Sequence, residues 1–396
     1  MLNKNVELLA PVGNTESLYA AVENGADAVY LGGKLFSARQ YANNFDYEEL
    51  KLAVEYAHLR DVKVYVTVNI LIDDKEMKET LDYIKYLYEI DVDGLIVQDL
   101  GLAYLVRKVL PDFQLHGSTQ MTINNLPGAI FLENLGFKRV VLAREISIRE
   151  TKTIHDNSNI ELEGFIHGAL CVCYSGQCLM SSLLGGRSGN RGKCAQPCRM
   201  AYSIVDYDKG TLPFSEWNKK HLLSPKDLNT LDYIDDIINS GIVSLKIEGR
   251  MKRAEYVATI VKNYRKALDM GKSSITEIDK KDTAQIFNRG FTKGIMLKDF
   301  GRDFISYERP DNRGIWIGHV VKIDRKYVYI KLYENIEEGD GIEFETTRGD
   351  YAGTIVNFSA DKGTTIKIEN ISNVSKDSEV YKTSSNRLLR EARESY

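Results

Sequence analysis

The sequence predicts an α/β protein: a parallel (β/α)8 barrel of TIM-like type with a cysteine-bearing insertion, followed by a small antiparallel β-barrel. Between residues 6 and 270 short β-rich runs alternate with amphipathic stretches of helical period, as βα units around a parallel sheet require. Eight runs and eight helical stretches can be read there, which is the barrel count. From Asn312 onward the texture changes to alternating runs broken by turn residues, the pattern of a compact all-β unit.

Taken in order, the expected strands are 6–10, 27–31, 63–69, 94–98, 114–118, 139–142, 160–166 and 243–247. The helices between and after them are expected at 16–24, 47–59, 76–89, 101–109, 128–135, 148–155, 228–240 and 253–270. About 75 residues separate the seventh strand from the eighth, far more than an ordinary connecting loop, and this insertion, 168–225, carries every cysteine. The barrel is thus expected over 1–272, a linker over 273–311, the β-barrel over 312–385 and a charged tail helix over 386–396. The tail runs read as strands are 316–323, 327–332, 341–346, 354–358 and 364–368, with turns at Glu338-Gly339-Asp340 and Asp361-Lys362-Gly363. The tail helix has no obvious packing partner, which suggests a chain that continues beyond it.

With 43% hydrophobic and 27% charged residues the chain can bury a large core and a smaller one. Its short polar lead is followed by an apolar run too brief for a signal peptide, and no stretch approaches the roughly 20 apolar residues of a membrane span. A cytoplasmic protein without a membrane partner is expected. The net charge of −4 does not advertise nucleic-acid binding, so such a role must rest on local patches.

All five cysteines lie between Cys171 and Cys198, which is not how disulfides staple a chain of this size. Leaving Cys173 aside, Cys171, Cys178, Cys194 and Cys198 read C-x6-C-x15-C-x3-C. Structural zinc favours two tight knuckles, and only the second half fits that rule, whereas iron–sulfur clusters accept wider spacings. A cluster, zinc or no metal all remain open on spacing alone. Arg187, Arg191, Lys193 and Arg199 stand among these thiols, with no acid between Gly185 and Met200. Nearby positive charge makes gathered thiolates tolerable, although such bases are equally ordinary on a solvated loop. Cys173 reads as a small buried filler. Gly192-Lys193 is not a phosphate-binding loop, because Cys194 stands where Ser or Thr must bind magnesium. Neither H-E-x-x-H nor G-x-S-x-G occurs.

The run Glu163-x-Phe165-x-x-Gly168-Ala169-Leu170-Cys171-x4-Gly176-x-Cys178-x-Met180-Ser181 resembles the signature of the collagenase-like bacterial family known as peptidase U32. Glu7 to Pro11, Gly25 to Tyr30, Arg191 to Arg199 and Ser244 to Arg250 look like further landmarks of that family. Its tail resembles the family's C-terminal barrel. The resemblance implies prephenate-dependent, oxygen-independent hydroxylation of an RNA base. Within that family the sequence resembles the transfer-RNA uridine hydroxylases that make 5-hydroxyuridine at the wobble position, and next those acting on a 23S ribosomal-RNA cytidine. It assigns a [4Fe–4S] cluster to Cys171, Cys178, Cys194 and Cys198, prephenate as cosubstrate, and for some members a paralogue as partner. A metal-dependent peptidase is the alternative that the family name suggests, and a non-catalytic RNA- or ribosome-binding protein is the third.

Barrel chemistry sits where strands end, and the polar residues there are Asn69, Gln98, His116, Gln120, Arg144, Glu145, His167, Lys246, Glu248 and Arg250. His116, His167 and Glu163 are the candidates to move protons, the bland alternative being hydrogen-bonded structural groups. Arg144, Lys246 and Arg250 are candidates to clamp the carboxylates of the cosubstrate, with Glu248 among them as clamp or ion-pair partner. RNA backbone is expected at Arg187 and Arg191 and along 246–272, where eight Lys or Arg face three Asp or Glu. Trp316, Tyr327, Tyr329 and Tyr333 are options for base stacking, although most must be core.

Overall fold

The computed structural model describes residues 6–39, 42–211, 219–347 and 350–396. The polar lead 1–5 and part of the expected insertion, 212–218, lie outside the described residues. Two compact units form: residues 1–274 with 291–310 and Tyr396, and residues 275–290 with 311–395.

The strands of the first unit are β1 (Glu7–Pro11), β2 (Ala28–Leu31), β3 (Lys63–Val68), β4 (Gly94–Val97), β5 (Leu115–Gly117), β6 (Arg139–Val141), β7 (Glu161–Ala169), β8 (Asp227–Asn229), β9 (Ile242–Ile247) and β10 (Phe291–Thr292). Its helices are α1 (Thr15–Glu23), α2 (Tyr47–His58), α3 (Met77–Glu89), α4 (Leu100–Val109), α5 (Leu126–Asn134), α6 (Ile148–Asp156), α7 (Met180–Gly185), α8 (Ile234–Asn239) and α9 (Ala254–Met270). Strands β1 to β7 pair in parallel in chain order, and β9 pairs with both β1 and β7. This closes the eight-stranded barrel that the alternation predicts.

Local chemistry starts the helices. Asp46 accepts from the Glu49 amide at 3.0 Å while the Glu49 carboxylate takes the Asp46 amide at 2.9 Å, and Asn14 and Ser147 begin α1 and α6 with the same reciprocal cap. The strands are buried on both faces, with Leu8, Leu9, Val64, Val66, Leu95 and Val97 fully enclosed, as strands covered by helices must be.

Two expected boundaries change in the last turn of the barrel. The seventh strand, expected to stop at Ile166, runs on to Ala169 and pairs antiparallel with β8, His167 opposite Asn229. The helix expected over 228–240 therefore begins late. Its first residues are consumed by this pairing, Thr230 donates its hydroxyl to the Ile166 carbonyl at 2.9 Å, and α8 starts only at Ile234.

The second unit contains α10 (Glu277–Ile286), β11 (Ile315–Ile323), β12 (Tyr327–Leu332), β13 (Gly341–Glu345), β14 (Tyr351–Ile355), β15 (Thr365–Glu369), β16 (Glu379–Ser384) and α11 (Asn386–Arg393). Its strands form one curled antiparallel sheet in the order β14-β13-β16-β11-β12-β15 around Ile317, Val320, Val328, Ile330, Leu332, Phe344 and Val380. The stretch 273–311, expected as a linker, is divided: 275–290 joins this unit and contains α10, whereas 291–310 joins the barrel. A capping box from Thr276 to Asp279 starts α10, and the charged character of the helix hid it. Strand β16 was hidden likewise, and the strand expected at 354–358 lies at Tyr351–Ile355. The tail helix is not free of partners. Leu388 and Ala392 are buried, and Arg387 pairs with Asp282 of α10 at 2.7 Å. Among the described residues no helix is long and apolar enough to cross a membrane.

Candidate active site

A column of charged side chains fills the barrel. Glu7 receives the Tyr65 hydroxyl and the Ser244 hydroxyl, each at 2.7 Å, and Arg139 bridges Glu7 and Glu161. Above them the fully buried Glu163 accepts from Lys246 Nζ at 2.8 Å and lies 3.5 Å from Arg139. Register explains the stacking, since Phe165 is opposite Lys246 and His116 is flanked by Ile96 and Arg139.

Lys246 also reaches the cleft at the C-terminal mouth of the barrel. This cleft of about 460 Å3 is lined by Tyr30, Arg39, Asn69, Gln120, Arg144, Phe165, Lys246, Glu248 and Arg250, among others. Four cations face a single carboxylate there. Burial would raise the Glu248 carboxyl, but Arg39, Arg144, Arg250 and Lys246 outweigh it and hold it below its ordinary value. Arg39 Nη2 lies 3.4 Å from Glu248, and the Tyr30 hydroxyl donates to the Ile247 carbonyl at 2.9 Å. Lys246 sits 4.2 Å over the Tyr30 ring and Arg144 4.3 Å over Phe165, so aromatic faces carry part of the charge. Arg250 donates to Ser37, Thr67 and Asn44 at 2.6 to 3.1 Å, and its burial brings it down to about 10. Arg144 Nε and Gln120 Oε1 are buried without a hydrogen-bond partner. Such unspent groups at a concave polar site suit an anionic ligand.

The structure brings Arg144, Lys246, Glu248 and Arg250 together as expected, and adds Arg39 and Tyr30. Arg39 lies on the connection after β2, well beyond the strand end, and that distance is why a reading of strand-terminal residues missed it.

The proposed proton carriers are placed elsewhere. His116 lies in the barrel core beneath the cleft, edge-on to Tyr65 at 4.5 Å, and neither ring nitrogen has a hydrogen-bond partner. Burial, with Arg139 and Lys246 adding, drives it well below its ordinary value. His167 points away from the mouth. The register shift between Phe165 and His167 turns it outward onto Tyr256, Tyr264 and Phe291, and burial lowers it to about 3. Neither imidazole lines the cleft. Glu163 is the counter-ion that holds Lys246.

The insertion leaves β7 through Gly168, at φ +102°, where a Cβ would lie 2.3 Å from the Glu248 carbonyl. It returns over the barrel mouth at several points. Gly176, at φ +76°, packs so close to the Gln120 carbonyl that a Cβ would meet it at 2.1 Å. Glu145 accepts from the Ser175 amide and hydroxyl at 2.9 and 3.1 Å. Arg191 pairs with Glu76 at 2.6 Å, and Glu76 is itself drawn down to about 2. Arg199 is spent on Ser224, Pro225 and Leu170, and Arg187 donates to the Lys193 carbonyl at 3.1 Å.

Cys171 is exposed, Cys173, Cys178, Cys194 and Cys198 are half-buried, and all five are free thiols. The Cys198 thiol is pushed up to about 11 by burial, with Arg199 opposing and Cys171, Cys194 and Cys178 adding to the rise. Cys194 acts in turn on Arg39 of the cleft, whose guanidinium Glu248 chiefly holds above its ordinary value. Four free thiols on one insertion are a donor set of the right chemistry for an iron–sulfur cluster. Among the described residues, however, no three Cys, His, Asp or Glu side chains converge closely enough to hold a metal ion.

The sequence model described as Peptidase family U32 matches residues 13–304. A tRNA hydroxylation protein P1 of Bacillus subtilis (strain 168) is 38% identical over 363 residues, covering 87% of this chain and 84% of that protein. A 23S rRNA 5-hydroxycytidine C2501 synthase of Escherichia coli (strain K12) is 37% identical over 348 residues. The match covers 85% of this chain and spans about half of that relative, 52% of its length. An uncharacterized protease of Methanocaldococcus jannaschii is 36% identical over 354 residues, covering 85% of this chain and 86% of that protein.

Proposed function

The chain belongs to peptidase family U32, and on that premise we propose that it hydroxylates a base of RNA. A transfer-RNA uridine is the favoured target and a ribosomal-RNA cytidine the next, in the cytoplasm where both RNAs reside. Two relatives that align over most of this chain carry RNA hydroxylation in their names. The observation that carries the reading to this chain is the cleft itself, with four cations around one carboxylate and the cysteine insertion folded over it.

In this reading the cleft takes an anionic cosubstrate, prephenate. Arg39, Arg144 and Lys246 face its carboxylates, while Tyr30 and Phe165 offer aromatic walls to its ring. Arg250, tied to Ser37, Thr67 and Asn44, fixes the connection after β2 and so the position of Arg39. Glu163 accepts from Lys246 and so aims it. Cys171, Cys178, Cys194 and Cys198, once drawn closer together, would hold a [4Fe–4S] cluster, which when bound supplies one-electron chemistry. A second member of the family is a candidate partner. A metal-dependent peptidase is the second reading, favoured by the archaeal relative's name. Among the described residues no histidine or cysteine lines the cleft to serve as base or nucleophile for it.

Nucleoside mass spectrometry of RNA from a strain lacking the gene tests the proposal. 5-Hydroxyuridine in transfer RNA or 5-hydroxycytidine in ribosomal RNA should disappear, return with the wild-type chain, and not return with Cys171→Ala or Cys194→Ala. An unchanged nucleoside profile, or full rescue by a variant lacking all four cysteines, would refute it.

A further inference from the structure

We propose that the outward face of the β11–β12 hairpin and β15 is a docking surface for single-stranded RNA, with Trp316 as the platform on which a base stacks. The RNA partner rests on the function proposed above; the surface itself is read from the second unit alone. Trp316 and Tyr333 lie 5.1 Å apart with planes 19° from parallel, and His319 continues the column at 5.7 Å and 27° from Tyr333. The rings stand on the outer side of strands whose inner residues, Ile317, Val320, Ile330 and Leu332, are fully enclosed. Trp316 nevertheless remains 40% exposed and Tyr333 39%. The stack on Tyr333 holds the indole in one orientation before any ligand arrives.

Charge decides the occupant. Along 315–333 Lys322, Arg325, Lys326 and Lys331 stand against Asp324 alone, in a chain whose net charge is −4. Across the sheet Lys322, Tyr329 and Lys367 fall in one row, and His319, Lys331 and Thr365 in the next. Lys322 lies 5.1 Å from the Tyr329 ring and Lys367 5.0 Å from Tyr327. Tyr327 and Tyr329 are thus covered by ammonium groups and hold cations in place, while Trp316, at the end of the ring column, keeps the stacking role. Glu369 neighbours Tyr327, and Glu379 neighbours His319 with its carboxylate engaged by the Tyr381 hydroxyl. Alternating cations and open aromatic faces match a phosphate backbone with unstacked bases, which every nucleobase can satisfy because each has a π-face.

The test uses the full chain and a fluorescein-labelled oligouridylate, read by anisotropy at several salt concentrations. Trp316→Ala should weaken binding about tenfold, in keeping with the loss of one base–aromatic stack, whereas Trp316→Phe should stay within about twofold of wild type. Lys322→Glu with Lys367→Glu should lower the salt slope by about 1.4, two single-strand phosphate contacts. Wild-type affinity in Trp316→Ala with an unchanged melting profile would overturn the proposal. Should that variant fail to fold, crosslinking of a 4-thiouridine oligonucleotide to the wild-type chain decides: adducts within 315–333 support the surface, and adducts confined to the barrel overturn it. Neither result touches the nucleoside test of the hydroxylase, so the two readings can fail separately.

Discussion

Replacing Glu163 by leucine is expected to destabilise the barrel substantially, and the structure gives the size. Glu163 is fully buried and serves Lys246 at 2.8 Å and Arg139 at 3.5 Å, whose side chains are only 5% and 7% exposed. Removing one member of a buried pair costs about 3–5 kcal/mol, because the remaining charge is left without a counter-ion in a poorly solvated place. Arg139 keeps Glu7 and Glu161, so Lys246 is the stranded charge, and it borders the cleft. The low end, about 3 kcal/mol, is therefore expected, with a fall in melting temperature of about 5 °C for a unit of this size. The assay is urea unfolding at neutral pH followed by far-ultraviolet circular dichroism. Combining Glu163→Leu with Lys246→Met should recover most of the loss, since an apolar pair of similar volume needs no counter-ion. A loss under about 1 kcal/mol in the single variant, or a double variant no better than the single, would refute the view that Glu163 is there to hold Lys246.

Two further outcomes follow from the placement of other sequence-predicted residues. His167 is about 3 in the folded barrel against an ordinary 6.5, so its contribution to stability is complete above pH 6.5 and is lost as pH falls from there toward 3. His167→Leu should narrow the difference in urea midpoint between pH 7 and pH 4.5, and an unchanged difference would contradict the packing role. Glu76, drawn to about 2 by Arg191 from an ordinary 4.5, contributes stability that is full above pH 4.5 and lost as pH falls toward 2. Both partners are about one-third exposed, which limits the effect on global stability to about 1 kcal/mol or less. Glu76→Gln should instead act locally, raising hydrogen exchange through 187–193, and equal protection in both proteins would show that the pair does not anchor the insertion.

The sequence by itself determined the barrel. Runs such as Lys63–Val68 and Gly94–Val97 are set by local composition, and their helices by caps such as Asp46 with Glu49. It also determined that one excursion carries all the thiols, and that Arg144, Lys246, Glu248 and Arg250 gather at the mouth, because the residues that follow barrel strands lie around one rim. The tertiary structure decided what depends on a partner distant in the chain. A register shift beside Phe165 sends His167 out of the barrel, a long connection brings Arg39 to Glu248, and Glu76 claims Arg191 across 115 positions of sequence. Strand β8 stayed illegible for the same reason, since what fixes it is pairing with β7, whereas α10 carries a local start signal, the cap of Thr276 with Asp279, that its charged sequence hid. Periodicity is a property of neighbours along the chain, whereas side-chain direction at a bulge and the choice of an ion-pair partner are settled only when distant segments meet.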